Sequence, residues 1–135
     1  MKNNGGMTLV EVLVAMTILF IIFLGMSSAG LVVLDQNIKN SYRDDAVGVA
    51  EMEMQKQVRN QRFSDLDAEP DNVPVSVDNV SRRIRGLNVN YGVWRTVEHL
   101  DPRNLRVTLR VTWNRIENNQ MKSYAHTVLT LVRSK

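Results

Sequence analysis

The sequence predicts an α+β protein, in which one long N-terminal helix, its first half crossing a membrane, packs against a small antiparallel sheet. Three observations carry this. Residues 12–34, "VLVAMTILFIIFLGMSSAGLVVL", hold no charge. Beyond Asp35, apolar residues recur at three- and four-residue steps. From Leu105 to Trp113, "LRVTLRVTW" alternates strictly between apolar and polar.

The uncharged run is 23 residues long. A helix of that length reaches about 34 Å, enough for a hydrocarbon core of about 30 Å. One crossing is therefore predicted. Two alternatives stand beside it. A buried core helix requires the rest of the chain to wrap a segment with no polar face. A secretory signal peptide has a shorter apolar core, and "SSAG" near the end of the run offers only a passable cleavage context. With 135 residues the remainder is at most one modest domain, which excludes a large multi-domain enzyme. The chain has no Cys, so it has no disulfide framework, thiolate zinc site or cysteine nucleophile. Its net charge of +3 arises from 17 Lys and Arg against 14 Asp and Glu, interleaved as on an ordinary solvated surface. Lys2 precedes the span and no positive excess follows it directly, which favours an N-terminus on the cytoplasmic side.

Within the span, "GMSSAG" gathers small residues, read either as close helix packing through Gly25 and Ala29 or as a local hinge. After it, Ile38, Tyr42, Ala46, Val49 and Ala50 form a stripe that Val58 and Phe63 extend. Gly48 weakens the helix by about 1 kcal/mol relative to Ala, which makes it the place where the helix could bend or break. Residues 64–74, "SDLDAEPDNVP", read as the loop that leaves the helix.

The rest reads as strands. Leu105, Val107, Leu109, Val111 and Trp113 share a face that must be buried. If Asn118 and Asn119 form a two-residue turn, Trp113 sits opposite Tyr124, Leu109 opposite Val128, and Leu105 opposite Val132. An earlier strand is expected within residues 82–97, where Leu87, Val89, Tyr91 and Val93 alternate, and Val73 to Val77 add a short piece.

Glu11 is conspicuous, because a carboxylate at the front of an apolar span costs on the order of 3 kcal/mol unless neutralised. The leader "MKNNGG", followed by "MTLVEVLVAM" and the apolar run, closely resembles the prepilin signature of type IV pilins and pseudopilins. The resemblance implies cleavage by a membrane prepilin peptidase between Gly6 and Met7. Met7 then becomes the N-terminal residue and a methylation site, although the family's commonest residue there is Phe, with Thr8 second and Glu11 fifth. It further implies that Glu11 pairs with the N-terminus of a neighbouring subunit. A contribution of Glu11 to the helix N-terminus through the macrodipole is the other reading. The implied parts are a leader (1–6), an assembly half of the helix (7–34), an amphipathic half (35–63) and a β-rich part outside the cytoplasm (64–135). The implied partners are other major and minor pilins or pseudopilins, an inner-membrane assembly platform and membrane lipid. The strand pattern looks like that of PilV-type minor pilins and GspI-type minor pseudopilins, and the implied destination is a pilus or pseudopilus, with the tip as one position. Pilus, secretion pseudopilus and a signal-anchored periplasmic binding module remain alternatives.

No enzyme, cofactor or metal is called for by the residues. His99 and His126 are 27 positions apart without converging partners. Asp44 and Asp45, on adjacent helical positions, diverge by about 100°. Arg82, Arg83 and Arg85 form the one cluster with a chemistry for DNA, and a charged turn beside a strand is its plain reading.

Overall fold

The computed structural model describes residues 8–117 and 119–134, apart from the side chain of Arg59. Two helices, α1 (Leu9–Asn60) and α2 (Phe63–Asp67), precede four strands: β1 (Val75–Ile84), β2 (Leu87–Asp101), β3 (Asn104–Glu117) and β4 (Gln120–Arg133). The strands form one antiparallel sheet in the order β1-β2-β3-β4. The predicted α+β layout is the one observed. The chain divides into two compact units, residues up to Asn40 and Ser41–Lys135.

In the first unit α1 is apolar and exposed all round. It is helical throughout "GMSSAG", and a Cβ added at Gly25 or Gly30 would meet nothing within 4 Å. Thr17 donates its hydroxyl to the Leu13 carbonyl at 2.8 Å, so that this polar group is satisfied inside the helix. Among the described residues α1 is the one helix long and apolar enough to cross a membrane.

In the second unit α1 becomes one-sided. Tyr42, Ala46, Val49 and Ala50 are buried, as the stripe predicted. They meet the face of the sheet built from Val89, Tyr91, Val93 and Val97 of β2 and from Leu105, Val107, Leu109, Val111 and Trp113 of β3. Burying one such Val or Leu contributes about 1.5–3 kcal/mol. The break that Gly48 could allow does not occur: the helix runs through it, held by buried neighbours on either side. Buried Tyr91 donates its hydroxyl to the Tyr42 carbonyl at 3.1 Å, and burial, followed by the carboxylate of Asp45, raises its phenol above the ordinary value.

The β3–β4 hairpin has the predicted register, with Trp113 opposite Tyr124, Leu109 opposite Val128 and Leu105 opposite Val132. Glu117 pairs with Gln120, and Asn119 has φ 62°, as a two-residue hairpin connection demands. Two features correct the sequence reading. The segment expected to be a loop opens with α2, whose Leu66 is buried against Val97, Leu105 and Val107. The Arg62 amide donates to the Asp65 carboxylate at 3.3 Å and caps this short helix. The short piece at Val73–Val77 is instead a strand of ten residues, hairpinned to β2 through Arg85 (φ 48°) and Gly86 (φ 86°).

One polar cluster joins α1, the α2–β1 connection and β2. Arg95 lies 5% exposed on the core face between Val93 and Val97. Its Nη1 donates to Gln57 Oε1 and Gln61 Oε1, each at 2.6 Å, and its Nε donates to Glu69 Oε2 at 3.2 Å, with Nη2 on the other oxygen of Glu69. Gln57 Nε2 donates in turn to Glu53, itself 1% exposed, and Lys56 bridges Glu53 to Asp78. Arg95→Ala is expected to destabilise the second unit by about 3 kcal/mol, because it leaves buried acceptors without a donor. Denaturant unfolding of the full chain, followed by tryptophan fluorescence, measures this loss.

Candidate functional site

The N-terminal end of α1 holds two of the residues singled out by the sequence. Thr8 precedes the helix, and its carbonyl accepts the amide of Val12 at 3.2 Å. The Thr8 amide donates to Glu11 Oε2 at 2.8 Å and the Thr8 hydroxyl donates to the same oxygen at 3.1 Å. The Glu11 amide donates back to Thr8 Oγ1 at 3.3 Å. This reciprocal arrangement is a capping box, written in the sequence as "TLVE", and it satisfies donors that an α-helix otherwise leaves orphaned at its start. It also places a carboxylate at the positive end of the helix dipole. The sequence reading named both residues but missed the box, although a Thr followed three positions later by Glu ahead of an apolar run is its signature. Glu11 Oε1 has no hydrogen bond among the described residues. Gly6 and Met7 lie outside the described residues.

The three arginines are distributed rather than gathered. Arg82 is opposite Val89, on the sheet face towards α1, and its Nη2 lies 3.6 Å from Met52 Sδ. Arg83 is opposite Asn88 and so points to the other face, and Arg85 occupies the β1–β2 turn. His126 sits opposite Val111, half-buried. His99 has a structural task. Its Nε2 is 3.0 Å from the Asp67 carbonyl and its Nδ1 is 3.1 Å from Asp71 Oδ1, which also accepts the His99 amide at 2.8 Å. Glu98 instead pairs with Arg106, and Asp101 caps the β2–β3 turn through Arg103 and Asn104. Among the described residues no three His, Cys, Asp or Glu side chains converge as metal ligands.

The Asp67 carbonyl, then the Asp71 carboxylate, raise the pKa of His99, and the bonds from His99 lower that of Asp71. A raised histidine pKa adds stability that is complete below its unfolded value of about 6.5 and is lost as pH rises through the folded value.

The first part of the chain, residues 1–27, matches the family model described as "Prokaryotic N-terminal methylation motif". The match supports a type IV pilin-like or pseudopilin-like prepilin. No curated protein and no solved structure significantly matches the chain. The motif belongs to structural rather than enzymatic proteins. It implies processing by prepilin peptidase and assembly with other pilins, and with the long apolar helix it fits a membrane-anchored pilin-like chain.

Two outcomes test the site and its surroundings. Thr8→Val removes the hydroxyl half of the capping box, at a cost of about 1 kcal/mol to the first turn, and the Glu11 amide, which donates to that hydroxyl, should exchange with solvent roughly fivefold faster in micelles. His99→Gln should abolish the decline in unfolding free energy that the wild type shows as pH rises above about 6.5. NMR titration of the wild-type ring gives the same pKa directly.

Proposed function

We propose that this chain is a minor type IV pilin, a non-enzymatic filament subunit that waits in the inner membrane and is drawn into a growing pilus. One observation carries the reading. The methylation motif coincides with a membrane-length helix whose first turn carries Glu11.

In this reading prepilin peptidase cuts between Gly6 and Met7 and creates an α-ammonium one residue before Thr8. Methylation of Met7 follows in the manner of the motif. Glu11 contributes twice. Oε2 is held by Thr8, which fixes the carboxylate at the helix start, while Oε1 is the atom to which a neighbouring subunit's ammonium can bind. An ionised carboxylate in lipid costs on the order of 3 kcal/mol, so a cationic partner within the fibre favours assembly over residence in the bilayer. The partners are then other major and minor pilins, the inner-membrane assembly platform and lipid, with the Ser41–Lys135 unit outside the cytoplasm.

A minor pseudopilin of a type II secretion system meets the same motif and helix, and co-purification with filament proteins of one system or the other separates the two. A signal-anchored periplasmic binding module differs in keeping its N-terminus uncut. DNA enters only through Arg82, Arg83 and Arg85. Its test is salt-dependent binding that disappears when all three are changed to Ser.

The intact mass of the chain extracted from membranes should show loss of residues 1–6 and a new terminus at Met7. Glu11→Gln should leave cleavage unchanged and lower incorporation into fibres by about tenfold or more, read by quantitative blotting of sheared filaments. Undiminished incorporation defeats the pairing role, and an uncut chain in fibres defeats the whole reading.

A further inference from the structure

The face of the sheet opposite the buried core carries features that the proposed role of Glu11 does not use. Its strands present the alternate register of side chains and form an open groove of about 740 Å³, within the range of small-ligand sites. We propose that this groove binds a neutral β1,4-linked oligosaccharide.

Trp94 is the first reason. It stands on an inner strand, 41% exposed, on the face that carries no core. Its Nε1 lies 3.5 Å from the point where a Cβ of Gly92 would be, so the indole leans along β2 over the glycine. Gly92 thus forms a low floor on which the flat aromatic platform of the indole, Thr112 Oγ1 at 3.1 Å and Asn79 Oδ1 at 3.7 Å close in around the missing Cβ. The Thr112 hydroxyl, donating to the Gly92 carbonyl at 3.2 Å, fixes the other side of that floor. The apolar C–H face of a sugar ring stacks on such a platform while its hydroxyls stay available to polar neighbours.

The second reason is what surrounds the indole. Asn90, Thr96, Thr108 and Thr127 offer neutral amides and hydroxyls that both donate and accept, the pairing a polyol requires. Among the described residues no carboxylate lines the groove, which disfavours a cationic ligand, and Arg110 is its one cation. Arg110 lies directly opposite Trp94 across the β2–β3 ladder and has no ion pair among the described residues. A single-stranded nucleic acid also stacks on tryptophan, but it draws its affinity from several cations along a groove. One arginine among neutral groups fits a neutral chain better. A β1,4 linkage gives a flat, extended ribbon, the shape that an open groove across the strands accepts.

The inference does not depend on cleavage at Gly6 or on filament assembly. The test uses the full chain in lipid nanodiscs, free of glycosidic detergent, with ¹⁵N-labelled tryptophan. The probes are the N-acetylglucosamine β1,4-tetramer and the glucose β1,4-tetramer, with single-stranded oligothymidylate as competitor. The Trp94 indole signal should shift saturably with at least one tetramer, and the affinity should be nearly unchanged between about 50 and 500 mM salt. Trp94→Ala should weaken binding by about tenfold or more. If that variant fails to fold, Thr108→Val and Gly92→Ala replace it, and each should weaken binding several-fold. Absence of a shift with both tetramers at about 20 mM overturns the proposal, as does equal affinity in the variants. Tighter, salt-sensitive binding of oligothymidylate reassigns the groove to nucleic acid and overturns it too.

Discussion

A guanidinium held inside a helix–sheet interface has to be paired, and in this protein that requirement fixes how the second unit is put together. The core surfaces of α1 and the sheet are mostly Val, Ala and Leu, whose attraction is strong but non-directional. Such surfaces define that the helix packs, and leave its rotation and height loosely set. Arg95 supplies direction. It bonds Gln57 on the last turns of α1, Gln61 just past the end of that helix and Glu69 on the connection to β1, so that separated stretches of chain converge on one planar fork. Lys56–Asp78 ties α1 to β1, and Tyr91–Tyr42 ties an earlier turn of the helix to β2. The polar bonds place the helix and the apolar burial holds it there.

Much of this fold is legible in the sequence because its apolar periods are clean. The run "LRVTLRVTW" and the strand after it give the hairpin register, since a slip of one residue would send every core residue to the wrong face. The stripe from Tyr42 to Ala50 gives the inward side of α1 for the same reason. What the sequence hides is hidden by breaks in period. In β1 the register shifts between Ser76 and Asp78, a bulge that takes up Val77 and puts Val75 and Val80, five positions apart, on one face. A strict alternation rule therefore sees only a fragment. Arg95, Glu53 and Gln57 sit at inward positions but are polar, so a search for apolar stripes passes over them. The signal was there: a lone Arg at the inward beat of "VNYGVWRTV", with Glu53 and Gln57 one turn apart on the facing side of the helix.

The N-terminal site divides in the same way. The position of Glu11 relative to Gly6 is a feature of sequence, and it carries the family resemblance. Its contact with Thr8 is a feature of three-dimensional arrangement, although "TLVE" spells it. The basic residues show the converse: Arg82, Arg83 and Arg85 are neighbours in sequence, but the strand pleat and the turn send them apart. Adjacency along a strand is therefore poor evidence for a shared electrostatic face.

Under the proposed function, the cap on Glu11 bears on how a single carboxylate can serve both an isolated subunit and a fibre. If the group needed its partner ammonium in order to be held in place, the membrane-resident subunit would keep a loose charge in lipid. Instead Oε2 accepts two hydrogen bonds from Thr8, at 2.8 and 3.1 Å, and the charge sits against orphaned amide dipoles before any neighbour arrives. These bonds offset part of the cost of burial without removing the charge, so an attraction for a cation persists. In the proposed function, intramolecular capping and intermolecular pairing are successive uses of one group. The first orients the acceptor, and the second gains from finding it already oriented.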